Sequence, residues 1–225
     1  MSFHNSISVI LNNIETDFKK GELAYLAMTS KIENPLRDRI AFALHTQFGD
    51  KYFICREWNK GGEKSNRTDI AIIDRKTEDV KCLIELKANT TPRKEDSRSI
   101  ELAEDFRKMS RVAKDDTELY FVSFNNLIQT SKVIDLKLGH SIKYHSDINR
   151  VLSKTNPSEL RDKIISYWET YLIASSLDLK KYETIEIGVR SNDEYYDLPL
   201  TVLTFLYGPV FKSDLTHLKL DGYKQ

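Results

Sequence analysis

The stretch of sequence that decides the fold is RTDIAIIDRKTEDVKCLIELKA, from Arg67 to Ala88. Two runs rich in β-branched and apolar residues flank the polar segment Arg75–Asp79, a pattern typical of two antiparallel strands joined by a short connection. Centring a hairpin on that segment builds one continuous apolar face from alternate residues of both strands: Ile70, Ile72, Cys82 and Ile84. The apolar face therefore fixes the register.

The same register places two carboxylates opposite each other on the other face of the hairpin. Asp69 is paired with Glu85, and directly opposed residues have Cα atoms about 4.5 to 5.5 Å apart. Like charges at that distance destabilise a sheet unless a positive charge lies between them, and a divalent cation is the natural candidate. The competing interpretation is the solvated, charged face of an ordinary hairpin.

A lysine lies beside this pair. Because strand side chains alternate, Lys87 lies on the same face as Glu85, roughly 7 Å along the strand. Its ammonium group could orient an attacking water or help to deprotonate it. An all-oxygen site of one or two carboxylates suits Mg²⁺, with Mn²⁺ as a substitute, and favours attack on a phosphodiester.

These residues resemble the PD-(D/E)xK nuclease superfamily, which includes type II restriction endonucleases and archaeal Holliday-junction resolvases. The resemblance consists of Asp69, the Glu85-Leu86-Lys87 triplet in an apolar strand, and an acid, Glu33, at the head of a helix. It covers the helix–strand–strand–strand–helix–strand order from Asn34 to Asn125. Thr68 stands where the motif has proline.

The resemblance implies a role for each matching residue. Asp69, Glu85 and the backbone carbonyl of Leu86 would be metal ligands, and Lys87 would be the catalytic lysine. Glu33 would bind or orient a second metal, although an acid at this position also interacts favourably with the helix dipole and needs no metal.

Hydrophobic periodicity predicts the elements around this motif. Helices are expected over Ile7–Phe18 behind a cap at Ser6, around Leu23–Ala27, from an Asn34 cap to Gly49, over Ile100–Ala113 and over Pro157–Ser176. Strands are expected at Tyr52–Trp58, Thr68–Asp74, Val80–Ala88, Leu119–Phe124 and Ser131–Leu138, with a hairpin of Thr184–Val189 and Leu198–Tyr207.

The predicted fold class is α/β: a restriction-endonuclease-like core, with a mixed sheet flanked by helices, an N-terminal helix and an α+β C-terminal elaboration. Residues 1–130 would hold the N-terminal helices and the nuclease core. Residues 131–225 would pack on that core within one domain, because no Pro/Gly/Ser-rich linker separates them.

The charge balance restricts how DNA could be bound. The chain has 34 basic and 34 acidic residues, so a nucleic-acid partner must meet a local basic patch rather than an overall attractive field. The candidate phosphate contacts are basic residues that border the two carboxylates or lie on the following helix: Lys60, Lys64, Arg67, Arg93, Lys94, Arg98 and Lys108. The competing interpretation for the helical residues is a solvated helix face.

The remaining composition excludes several classes of protein. No apolar run approaches the roughly 20 residues of a membrane span, and the N-terminal MSFHNSISVILNN has no basic leader or cleavage site, which predicts a cytoplasmic protein without a membrane partner. Cys55 and Cys82 lie in apolar segments and are interpreted as reduced core thiols rather than zinc ligands.

The sequence thus predicts a Mg²⁺-dependent deoxyribonuclease that acts on double-stranded DNA, most simply a restriction-type endonuclease working as a homodimer, since two antiparallel strands must be cut. Two alternatives remain open. One is a structure-specific nuclease such as a junction resolvase, and the other is a catalytically silent DNA-binding subunit with the same fold.

Overall fold

The described part of the chain forms a six-stranded mixed sheet with helices on both faces. The computed structural model describes residues 2–29, 32–59, 67–89, 96–128, 157–174, 177–189 and 200–215. The helices are α1 (His4–Asn13), α2 (Glu22–Thr29), α3 (Glu33–Phe48), α4 (Asp96–Val112) and α5 (Pro157–Ala174). The strands are β1 (Tyr52–Trp58), β2 (Thr68–Asp74), β3 (Val80–Asn89), β4 (Glu118–Ile128), β5 (Tyr182–Val189) and β6 (Leu200–Val210). Short 3₁₀ turns cover Ile14–Asp17, Leu179–Lys181 and Lys212–Leu215.

The strands lie in the order β1-β2-β3-β4-β6-β5. The β3–β4 pair is parallel and the other neighbours are antiparallel. Helix α4 provides the crossover between the two parallel strands, as a parallel connection requires. The C-terminal β5–β6 hairpin, which the sequence predicted, continues this sheet because β6 pairs with β4.

The predicted β2–β3 register is confirmed. Ile70 pairs with Ile84 and Ile72 with Cys82, and the connection between the strands is Arg75–Asp79 as expected. A register shift follows Ile72, next to the turn. The Asp74 carboxylate accepts hydrogen bonds from the first two backbone amides available in that turn, those of Lys76 and Thr77.

Because β-strand side chains alternate, the central strands contribute to two separate hydrophobic layers. One layer packs under α1, α2 and α3 and includes Ile70, Ile72, Cys82 and Ile84. The other packs under α4 and α5 and includes Ala71 and Leu83. Neither cysteine is in a disulfide: the Cys82 thiol is buried and the Cys55 thiol is partly buried.

Two predicted helix starts were wrong. Helix α1 begins at His4, so Ser6 lies inside it, and α3 begins at Glu33, so Asn34 is not its cap. Neither helix has a side-chain hydrogen bond at its N-cap. Pro35 is the third residue of α3, two positions deeper than expected, and is still tolerated because N–H groups of the first turn have no partner within the helix.

Strand β4 is longer than predicted. The predicted strand ended at Phe124, yet Asn125 and Asn126 are buried within β4. Asn125 donates to the Leu203 carbonyl on β6 and Asn126 to the Ala27 carbonyl on α2, so tertiary partners override the usual turn preference of asparagine. The predicted strand Ser131–Leu138 lies outside the described residues. Within the described ranges, none of the helices has both the length and the apolar character needed to cross a membrane.

Candidate active site at the end of the β2–β3 pairing

Strand β3 continues past the point where its pairing with β2 ends. The last registered pair is Ile70–Ile84, whereas β3 runs on to Asn89. Side-chain carboxylates take over as acceptors: the Leu86 amide donates to Asp69 Oδ2 at 2.8 Å, and the Ala88 amide donates to Glu33 Oε2 at 3.0 Å. Asp69 and Glu33 are thereby fixed against the edge of β3.

Glu85 is the most enclosed acid of this group. It lies two residues after Leu83 on β3 and therefore on the same face of the sheet, under α4. Its side chain is 5% exposed, and its Oε1 lies 2.8 Å from Lys108 Nζ and 3.1 Å from Lys87 Nζ. Its Oε2 is buried and has no hydrogen-bond partner within the described part of the chain. One oxygen of Glu85 is thus paired with two lysines, and the other is buried without a hydrogen-bond partner among the described residues.

Helix α4 adds another acid to this cluster. Asp105 is 12% exposed at its side chain, and its two oxygens lie 3.2 Å from Lys87 Nζ and 3.6 Å from Lys108 Nζ. Two carboxylates and two ammonium groups therefore alternate around a ring of four largely buried side chains. We call this group the Glu85–Asp105 cluster (Glu85, Lys87, Asp105 and Lys108).

A second charged group lies on the other side of Asp69. Arg37, one turn after Glu33 on α3, is buried, and its Nη1 lies 3.7 Å from Asp69 Oδ1. The same guanidinium contacts Glu57 of β1, which also binds Arg67 at 2.6 Å. Glu57 falls opposite Asp69 between registered β1–β2 pairs and has a left-handed backbone with φ of 50°. A non-glycine residue rarely adopts this conformation, which is energetically unfavourable. Here the contacts of Glu57 with both arginines offset that cost.

Burial and neighbouring negative charge raise the pKa of two of these acids. Burial, followed by the charges of Glu85 and Glu33, raises the pKa of Asp69 to about 6, although the Leu86 amide opposes the shift. Burial and the charge of Glu85 likewise raise the pKa of Asp105 to about 6, against the opposing effect of both lysines. Additional positive charge near either carboxyl would lower its pKa and stabilise the ionised form.

Lys87 responds in the opposite direction. Burial alone would lower its pKa, but the charges and hydrogen bonds of Glu85 and Asp105 outweigh burial and raise the pKa above its ordinary value. A lysine that stays charged is suited to orienting a water, the first of the two roles considered for Lys87, and not to accepting a proton.

The donor atoms of the site are carboxylate oxygens, the type that Mg²⁺ prefers. The buried, unpartnered Glu85 Oε2 together with the raised pKa of Asp69 indicates a site that would accept a cation. Among the described residues, however, no three His, Cys, Asp or Glu side chains converge tightly enough to form a complete protein cage. Mg²⁺ usually keeps several waters and needs only one or two protein carboxylates, so the lack of a complete cage is compatible with it.

The predicted DNA contacts fall in different places. Arg67 precedes β2 and is 47% exposed while bound to Glu57. Lys108 lies inside the Glu85–Asp105 cluster at 18% exposure, so contact with a phosphate would require it to leave Glu85. Arg98 is on α4, but its side chain lies outside the described set, as do four further predicted contacts: Lys60, Lys64, Arg93 and Lys94.

Sequence reasoning missed two residues of this site, Asp105 and Arg37. A weak signal existed for each. Asp105 precedes Lys108 by three residues and Arg37 follows Glu33 by four, spacings that place each pair on one helix face. Such pairs are common on solvated helices, and only the docking of α3 and α4 against β3 shows that these point inward.

A scan against protein-family models matched no family, and searches of curated proteins and of solved structures likewise found no match to this chain. The chain is thus characterised by its fold class, a mixed α/β sheet flanked by helices, and by the geometry of the site described above.

Proposed function

We propose that this protein is a Mg²⁺-dependent deoxyribonuclease with a restriction-endonuclease-like core, which hydrolyses phosphodiester bonds of double-stranded DNA. The observation that carries the proposal is the junction at the end of the β2–β3 pairing. Asp69 is fixed there by the Leu86 amide, its charge interacts with that of Glu85, and Lys87 lies 3.1 Å from Glu85. This is the residue set, in the strand positions, that the PD-(D/E)xK resemblance implies.

In this proposal Asp69, Glu85 and the Leu86 carbonyl hold Mg²⁺, with Mn²⁺ able to substitute. A bound Mg²⁺ would supply Lewis-acid stabilisation of the phosphoryl oxygens and acidify a coordinated water. Glu33 has a defined task without metal, because it accepts the Ala88 hydrogen bond and ties the start of α3 to β3. Its role as a ligand of a second metal remains part of the proposal.

Lys87 would act as a fixed cation. Two acids, Glu85 and Asp105, flank its ammonium group at 3.1 and 3.2 Å, and its raised pKa keeps it charged at neutral pH. A charged group at this place can orient the attacking water by hydrogen bonding and stabilise the negative charge that develops on the phosphate in the transition state.

The DNA would approach along the side of the site from which Arg67 projects. Arg67 is half exposed beside Glu57, one residue before the strand that carries Asp69, and would contact a backbone phosphate. A homodimer would be the simplest arrangement for cleaving both strands of a duplex. In restriction-type cleavage, the C-terminal half would read the DNA sequence.

A second candidate function, a catalytically silent DNA-binding subunit, is favoured by one observation. Both Lys87 and Lys108 are paired with Glu85 Oε1, so the acid is already neutralised by the protein itself. A site in which this pairing is permanent would bind DNA without hydrolysing it.

Incubation of the purified protein with plasmid, phage and four-way-junction DNA in Mg²⁺ and in EDTA tests the proposal. Mg²⁺-dependent discrete fragments would support restriction-type cleavage. A smear would indicate a non-specific nuclease, cutting confined to the junction would indicate a resolvase, and a gel shift without any cleavage would overturn the enzyme in favour of the silent subunit.

The variant Lys87→Ala separates catalysis from binding. We expect cleavage to be abolished while the affinity for DNA in Ca²⁺ changes by no more than a few fold, because the lysine acts in the chemical step. Lys81→Ala is the matched control, since Lys81 lies on the same strand but pairs with Asp116, away from the site. Wild-type cleavage by Lys87→Ala would show that Lys87 has no catalytic role.

A further inference from the structure

The ammonium group of Lys108 neutralises Glu85 at the place where a divalent cation would approach this carboxylate. Its Nζ lies 2.8 Å from Glu85 Oε1, closer than the proposed catalytic lysine at 3.1 Å. Lys108 is largely buried, so this contact is poorly screened by solvent. An ammonium group held there repels any divalent ion that approaches the same carboxylate.

Lys108 also has an alternative partner within reach. Asp105, one helical turn before it on α4, has its Oδ1 3.6 Å from the same ammonium group. Lys108 could therefore exchange Glu85 for Asp105 by a side-chain rotation, with α4 remaining in place. Glu85 meanwhile keeps one buried oxygen, Oε2, without a hydrogen-bond partner among the described residues. That oxygen is the one with which Glu85 would contact a divalent cation once Lys108 has moved to Asp105.

We propose that Lys108 is a built-in competitor of the divalent cation: its ammonium group neutralises Glu85 until the metal binds and then transfers to Asp105. This inference deepens the proposed function and rests on it, because it assumes that Glu85 is a metal ligand. It assigns Lys108 a role in setting metal affinity, instead of the direct phosphate contact that the sequence suggested.

The competition has a direct consequence for metal affinity. Removing a unit positive charge a few ångströms from a divalent site, in a poorly screened environment, should tighten Mn²⁺ binding by roughly tenfold or more. Lys108→Met removes the charge and keeps most of the apolar stem. Lys108→Arg keeps the charge and should leave the affinity within a few fold of wild type.

The test is a titration of the full-length protein with Mn²⁺ alone, with free Mn²⁺ measured by electron paramagnetic resonance and no DNA present. Lys114→Met is the matched control, because Lys114 is a nearby exposed lysine that pairs with Asp79 outside the cluster. Lys108→Gln serves as a second neutral variant, and a thermal melt of each variant verifies that it is folded.

Tighter Mn²⁺ binding by both neutral variants, with Lys108→Arg and Lys114→Met near wild type, is the expected result. Unchanged or weaker binding by folded Lys108→Met and Lys108→Gln would overturn the competition while leaving the metal site standing, provided that Glu85→Gln abolishes wild-type binding. Failure of wild type and both neutral variants to bind Mn²⁺ through Glu85 would instead remove the metal site, and with it the proposed nuclease and this inference.

Discussion

At the scale of single residues, Asp69 is held in a conflicting environment. The Leu86 amide stabilises its carboxylate, whereas burial and the neighbouring acids Glu85 and Glu33 oppose ionisation and raise its pKa to about 6. Added positive charge, such as a bound cation, would stabilise the ionised Asp69 carboxylate. We therefore interpret Asp69 as a functional residue.

Replacing Asp69 by asparagine should stabilise the protein when no metal is present. The amide oxygen of asparagine can still accept the Leu86 hydrogen bond, but the buried negative charge is gone, so we expect a gain of about 1 to 2 kcal/mol in the free energy of unfolding at pH 7. Thermal melts in EDTA measure this gain.

The same variant should lose its response to metal. Wild-type protein should gain melting temperature as Mn²⁺ is raised, because a ligand that binds the folded state stabilises it by mass action, and Asp69→Asn should gain little. A loss of several kcal/mol in EDTA would instead identify Asp69 as a structural hydrogen-bonding residue.

The stability difference between wild type and Asp69→Asn should depend on pH. The folded-state pKa of Asp69, about 6, is raised above its ordinary value of 3.8, so the stability contributed by its protonated form is present below about pH 4 and is lost as the pH rises through 6. Urea unfolding in EDTA should therefore give a small difference at pH 4 that reaches its full size near pH 7. A difference independent of pH would contradict the burial and charge assigned to Asp69.

At the scale of elements, the sequence predicted whichever features depend on local pattern. The bounds of β1 and β2 and the register of β2 on β3 follow from alternation and from turn residues, so they could be predicted. The expected Asp69–Glu85 pair lies one step beyond Ile70–Ile84, the last registered pair of these strands. The positions of Asp105 and Arg37 could not, because they depend on how α4 and α3 dock against the sheet. The short spacing of each residue from a neighbouring charge places the pair on one helix face but does not show which way that face points.

The segment leading into β2 is where we expect contact with DNA. Arg67→Ala should weaken binding to all DNA sequences alike and reduce the slope of log affinity against log salt by about one, because one phosphate contact and its released counterion are lost. Fluorescence anisotropy in Ca²⁺ at several salt concentrations measures both quantities. Neutralising Lys60 or Lys64 should act similarly. A sequence-selective loss would indicate base readout by Arg67.

At the scale of the whole molecule, the C-terminal hairpin completes the sheet on which the site is built. Strand β6 pairs with β4 from Val210 opposite Leu119 to Leu200 opposite Ile128. Phe205 and Tyr207 of β6 are buried in the same layer as Phe106 of α4, the helix that carries Asp105 and Lys108. The candidate site therefore depends on residues far along the chain.

A fragment that ends at residue 130 should consequently fail to fold cooperatively. Its β4 would lose the antiparallel partner β6, and the apolar layer under α4 would be exposed to water. Circular dichroism melts and limited proteolysis of this fragment beside the full chain test the expectation. A protease-resistant fragment with a cooperative transition would show instead that the first 130 residues are a separate folding unit.

The most direct test of the central claim is anomalous diffraction from crystals soaked in Mn²⁺. Two opposed carboxylates beside Lys87 are held here to be a divalent-cation site, so we predict an anomalous difference peak between Asp69 and Glu85 that disappears in crystals of Asp69→Asn. An anomalous peak at another place in the protein would contradict this claim. So would the lack of any peak between Asp69 and Glu85 with Lys108 still bound to Glu85.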